Sequence, residues 1–299
     1  MPPPVRKPSR FDQQLATLRG SPTAEDVRAA LRSKNGILVA AAVPHAAAPD
    51  LEAAFMTLVP DGAKRDPICR GKVAIARALH ERDEWSEAFV AGLTHVQMEA
   101  GVDTAAELRG ICGLAHAHFS RPDVLDVLAD LLADPEVPTR IAAAQALGDA
   151  GRADASALLR YKLRTGDPHG EVIGAAASAL LHLQREHAVP FITALLKPPF
   201  DDAVALALAE SRLPDALPPL RAWVARTTGE TRRAIGYLAL ALTRAANDDL
   251  LAVIRDGDRA DALAAAKALA TFRDDPAIRD AVLAAAPTPL RREIAALLA

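Results

Sequence analysis

Along most of the chain, small and apolar residues recur at the three- and four-residue spacing of helices that bury one face, and these runs are interrupted by Asp-Pro, Gly and Ser/Thr breaks. Residues 134 to 151, DPEVPTRIAAAQALGDAG, show the unit most clearly. With Leu147 as reference, similar small-residue helices reach equivalent points at Leu79, Leu114, Leu180, Leu208, Leu242 and Leu269, in steps of 35, 33, 33, 28, 34 and 27 residues. A degenerate earlier copy ends near Ala41. A second amphipathic run follows each break (VLDVLADLLA, ASALLRYKL, ALPPLRAWVA, AIRDAVLAAA), so the period predicts about eight helix pairs.

The punctuation repeats as well. Asp66, Asp134 and Asp167 stand thirteen residues before a reference Leu, each followed by Pro, and Asp256 holds the same offset. Asp accepts a hydrogen bond from a free helix N–H and Pro at the first helical position has none to leave unpaired, so all four predict helix starts. Thr104 with Glu107, and Ser120 with Asp123, have capping-box spacing. Residues 1–20 read as a basic, Pro-rich arm whose composition favours disorder, and 21–299 as one continuous stack. Within that stack, 21–60 is a degenerate first repeat and 287–299 a capping half-repeat.

The stretch VPTRIAAAQALGDAGRADASALL at 137–159 and its echoes from about residue 66 to 286 resemble HEAT repeats, particularly the bacterial HEAT-like repeats of phycobilin lyase subunits. The resemblance implies an all-α fold, a right-handed α-α superhelix (α-solenoid), with the AAxAL helix of each pair on the concave side. It further implies that Arg140 pairs with an acidic residue, Asp134 or Asp149 being the natural partners.

Composition narrows the rest. Hydrophobic residues make up 51% and aromatics only 4%, which favours close helix packing over a β-sandwich. A net charge of −3 with both signs interspersed gives no global attraction to nucleic acid or anionic membrane. Cys69 and Cys112 are too few for a disulfide framework. No secretory signal or membrane span is read, so a cytoplasmic, bacterial-type protein without a membrane partner is expected.

Candidate chemistry is sparse. His80-Glu81 is the one His-Glu pair, and His116, His118, His182 and His187 fall near expected helix ends, so no metal and no cofactor is expected. Trp85 and Trp223 fall in second helices as packing residues, and neither cysteine has a nucleophile's partner at diagnostic spacing. What remains is a row of polar side chains on the AAxAL helices: Lys72, Glu107 and Arg140 seven before the reference Leu, Arg77, Gln145 and Lys267 two before it, with Arg232 and Arg233 at another helix start. These residues are read as a concave face that takes an acidic segment or helix of a protein partner, with repeat-to-repeat salt bridges as the competing reading. The expected function is therefore a non-catalytic protein-interaction scaffold or adaptor. Two alternatives stay open: an accessory lyase or cofactor-delivery protein, which the phycobilin-lyase resemblance implies, and a nucleic-acid-binding or DNA-repair protein of HEAT-like fold. Oligomeric state is not legible.

Overall fold

The computed structural model describes residues 9–299, and among these the only strands are the two of a short hairpin, Met98–Glu99 and Val102–Asp103. Everything else regular is helical, built from two interleaved series of helices in the manner of an all-α solenoid. The chain divides into two compact units, one ending at Ala150 and the other spanning Gly151–Ala299.

In the first unit, helices Arg10–Arg19, Gly36–Ala42, Arg70–Glu81, Ala106–His118 and Val137–Asp149 each pack on the next. Helices Ala24–Leu31, Ala48–Leu58, Glu87–Leu93 and Val124–Leu132 pack behind them. Small side chains make this approach possible: Ala76, Ala115, Ala143 and Ala144 are fully buried. A Cβ on Gly71 would lie 2.8 Å from Leu58 and 3.0 Å from the Gly36 backbone, so the neighbouring turns touch directly. Between them sit fully buried Leu79, Leu108, Leu128 and Leu147, each contributing about 1.5–3 kcal/mol of burial.

The second unit repeats the scheme. Helices Gly170–Gln184, Asp201–Ser211, Glu230–Leu242, Arg259–Leu269 and Arg291–Leu297 form the first series. Ala155–Thr165, Val189–Thr193, Leu217–Arg226, Asn247–Asp256 and Pro276–Ala285 form the second. The last helix packs back through Ile294 and Leu298, both buried.

Several local expectations are corrected. Within the expected arm, Arg10–Arg19 is a helix with a complete capping box from Ser9 and Asp12, while residues 1–8 lie outside the described residues. Asp256 ends a helix instead of starting one; the cap is Asp258, whose Oδ1 accepts from Asp261 N at 2.8 Å. The Asp-Pro aspartates do precede helices, Asp134 and Asp167 each accepting the N–H two residues on. Thr104 does not cap the Ala106–His118 helix: its hydroxyl donates to Gln97 O and to Glu99 Oε1. Ser120 leaves the preceding helix at positive φ, and no side chain caps Val124–Leu132.

Candidate interaction site

The row of polar residues expected on the first-series helices is largely spent inside the protein. Lys72 is corrected outright: it and Asp66 are both 0% exposed, so it presents nothing to a partner. Its Nζ lies 3.0 Å from Asp66 Oδ2 and donates to Gln97 Oε1 at 2.9 Å. Arg140 is buried too and donates to the carbonyls of Asp134 and Pro135, at 2.8 and 2.9 Å, so its guanidinium is engaged within the chain. Glu107 and Arg77 bond each other across neighbouring helices, Arg232 bonds Asp201 and Asp202, and Arg233 bonds Asp261 at 2.8 Å. Gln145 and Lys267 are exposed and, among the described residues, engaged in no hydrogen bond or ion pair.

The offset that selected Glu107 is itself two residues out of register. Leu114 is half-buried whereas His116 is buried, and seven before His116 stands Arg109, the true counterpart of Lys72 and Arg140. Each of the three follows its own aspartate by six residues: Asp66, Asp103 and Asp134. Arg109 lies between two repeats. It meets Asp103 Oδ2 at 2.7 Å and His95 O at 2.8 Å, and reaches the next repeat's Asp134 through two bonds of 2.7 and 2.9 Å. Burial alone would raise the Asp103 pKa, but N–H bonds from Gln97 and Ala105 and the Arg109 guanidinium hold it below the usual carboxylate value. Since Gln97 N also donates to Asp103 at 3.0 Å, a continuous buried polar spine runs Asp66, Lys72, Gln97, Asp103, Arg109, Asp134.

Over this spine the repeat is interrupted. The segment between helices Glu87–Leu93 and Ala106–His118 forms the hairpin, with Met98 opposite Asp103 and Glu99 opposite Val102. Its two loop residues, Ala100 (φ 49) and Gly101 (φ 85), adopt the left-handed backbone that two-residue hairpin loops require. Opposite it, Ile68 and Cys69 both have φ 55, a region where a β-branched residue is rare, at a cost of about 1–3 kcal/mol each. The turn is held by Asp66, whose carboxylate accepts from Gly71 N at 2.6 Å and Lys72 N at 3.0 Å. The hairpin braces it too, Glu99 Oε1 accepting from Ile68 N at 2.7 Å. Bonds from Gln97 first, and from Thr104 and Ile68, keep the Glu99 carboxylate below its ordinary pKa despite the burial that opposes them.

These constraints turn large apolar side chains outward. Ile68 is 56% exposed, Val96 60%, Met98 58% and Val102 61%, the four being most of the large exposed hydrophobic residues among the described ones. Val96 and Met98 also line a cleft of about 430 Å³ with Val59, Lys64, His95 and Gln97. Sequence reasoning missed this face. Its available signals were the hairpin-like EAGVD and the longest step between repeats, and Ala in place of Asn or Asp before Gly weakens the first.

Burial pushes the Cys69 thiol up to about 12 and raises Cys112 further, far from nucleophilic thiolate chemistry. Trp85 lies in a loop, not a helix, and stacks with Phe89, His116 and Phe119 beneath Arg121. Trp223 is buried in its expected second-series helix and donates to Asp201 Oδ2 at 2.8 Å. Among the described residues no three or more His, Cys, Asp and Glu side chains come together as metal ligands, and no helix is long and apolar enough to cross a membrane.

No curated protein matches the chain. Residues 98–180 match the family model of HEAT repeats, a stretch that takes in the hairpin, Arg109 and Arg140, and repeats of this family commonly serve as protein-interaction scaffolds.

Proposed function

We propose that the protein is a non-catalytic scaffold that binds a protein partner, and that its principal contact is the apolar face formed by Ile68, Val96, Met98 and Val102. The observation that carries this reading is that four of the large exposed apolar residues fall on one short hairpin segment and the turn that its Glu99 braces, where the helical repeat is interrupted. Surfaces of soluble chains scatter such residues singly, and contiguous ones mark contacts. A strained turn and a hairpin braced on a buried polar spine hold the face in place, so little ordering cost falls on association. The match to HEAT repeats supports the scaffold class, and the paired charges of the first-series helices move the proposed contact away from the arginine row.

The test uses the full chain and the double variant V96D/M98D. Both substitutions are at exposed positions, so helicity and melting should be retained. Partners captured from the native cell by the wild-type chain are identified, purified and titrated against both proteins. Affinity should fall about tenfold or more for the variant, the effect of losing an apolar anchor. Unchanged affinity would remove this face from the proposal.

A further inference from the structure

A second surface in the first unit has a different chemistry. Between helices Arg10–Arg19 and Gly36–Ala42 lies a cleft of about 310 Å³ whose apolar lining includes Leu15, Ile37, Ala41 and Pro44. Arg19 and Arg70 stand on its rim, both exposed, and His45 is fixed beside it by a 3.1 Å contact between its Nε2 and Leu18 O.

The two arginines set this cleft apart. Among the described arginines of the first unit, all but Arg10, Arg19 and Arg70 are held by a carboxylate, a backbone carbonyl or an aromatic ring. Two of these three, Arg19 and Arg70, line one cleft. No carboxylate lines it, and the nearest ones in sequence are committed: Glu25 to Arg28 and Arg32, and Asp66 to the buried Lys72. Guanidinium groups favour planar anions and prefer carboxylates held by two donors. An apolar floor beneath two unspent guanidiniums is therefore complementary to an anion carried next to an apolar group. The volume is at the lower end of ligand clefts, about 300–1,000 Å³, enough for one or two side chains of a segment that continues outside.

We infer that this cleft is a docking site for an acidic-apolar peptide segment of a protein partner, one that inserts a Leu-sized side chain and presents its neighbouring carboxylates to Arg19 and Arg70. The inference rests on the scaffold reading above but not on the hairpin face, which carries no part of this cleft.

The experiment titrates full-length protein into a fluorescein-labelled peptide, Ser-Leu-Leu-Asp-Glu-Leu-Gly, and reads anisotropy. Companion peptides replace the acids by their amides or the leucines by serine, and sodium octanoate serves as competitor. The expected result is saturable binding that weakens at least about tenfold in R19E/R70E, partially in R19Q/R70Q, and about tenfold with either altered peptide. Binding should also weaken with added salt. V96D/M98D should bind the peptide as the wild type does, whatever becomes of the hairpin reading. Thermal melts by circular dichroism confirm that the exposed-site variants fold. No binding, equal binding by R19E/R70E or by the amide peptide, or loss of binding only in V96D/M98D would overturn the inference. Displacement by octanoate as readily as by unlabelled peptide would also overturn it, since the ligand would then be a small amphiphilic carboxylate.

Discussion

The two units join their repeats in different ways. In the first, the connection is a buried spine in which Arg109 meets carboxylates of two repeats while almost fully enclosed. In the second, the corresponding inter-repeat pairs, Arg221 with Asp249, Arg244 with Asp275 and Arg259 with Glu293, lie at the solvent edge. The second unit also has buried carboxylates, Asp167 beside Lys162 and Asp201 beside Arg232, yet these cations keep 15% and 39% of their side-chain surface exposed. An enclosed pair holds one geometry or exposes an unpaired charge to a low dielectric, whereas a rim pair is replaced by water at little cost. The interrupted repeat, with its strained turn and outward apolar face, stands over the enclosed spine, where a fixed platform is available to hold it.

The largest expected effect tests that platform. Arg109→Met leaves Asp103 and Asp134 buried without their cation and should lower stability by about 3–5 kcal/mol. Because the protein has two tryptophans, Trp85 in the first unit and Trp223 in the second, urea unfolding can be followed in each unit separately with W223F and W85F backgrounds. The loss should appear through Trp85. An Arg109→Met protein as stable as its parent would show that the spine is dispensable.

Next comes acid sensitivity. Burial foremost holds the pKa of His116 below its ordinary value, and the same holds for His80 and His95 in the same unit. The unfolded chain then binds more protons than the folded one, so stability is full above the unfolded value of about 6.5 and falls as pH drops below it. Urea midpoints read through Trp85 should decline between about pH 6.5 and 5, and His116→Gln should flatten the decline. A midpoint that rises on acidification reverses the sign and contradicts the assignment. The smallest effect is expected at the rim: Arg221→Ala, in a pair with side chains 50% and 39% exposed, should cost about 0.2–1 kcal/mol and less in high salt. A loss comparable to that of Arg109→Met would erase the contrast between the units.

The helix pairs were legible because their period, the Asp-Pro starts and the Ala-rich contact faces are all local signals, and the four second-helix runs at Val124–Leu132, Ala155–Thr165, Leu217–Arg226 and Pro276–Ala285 lie where the sequence places them, although Trp85 falls in a loop. The site was not. Counting from Leu114 instead of His116 put Glu107 in the ladder and hid Arg109, because a buried histidine does not look like the apolar residue the repeat leads one to expect. Lys72 was read as a surface group since enclosure by Asp66 and Gln97 depends on residues 6 before and 25 after it. Ile68, Val96, Met98 and Val102 resemble ordinary core residues in sequence; only the turn and the hairpin, formed by contacts between distant segments, turn them to solvent.

Hydrogen–deuterium exchange of the full chain, free and saturated with a purified partner, tests the central claim most directly. The account predicts that binding slows exchange at residues 66–70 and 95–104 while leaving the Arg221–Asp249 rim unchanged. Protection confined to the second unit, with the hairpin exchanging as fast as in the free protein, would contradict it.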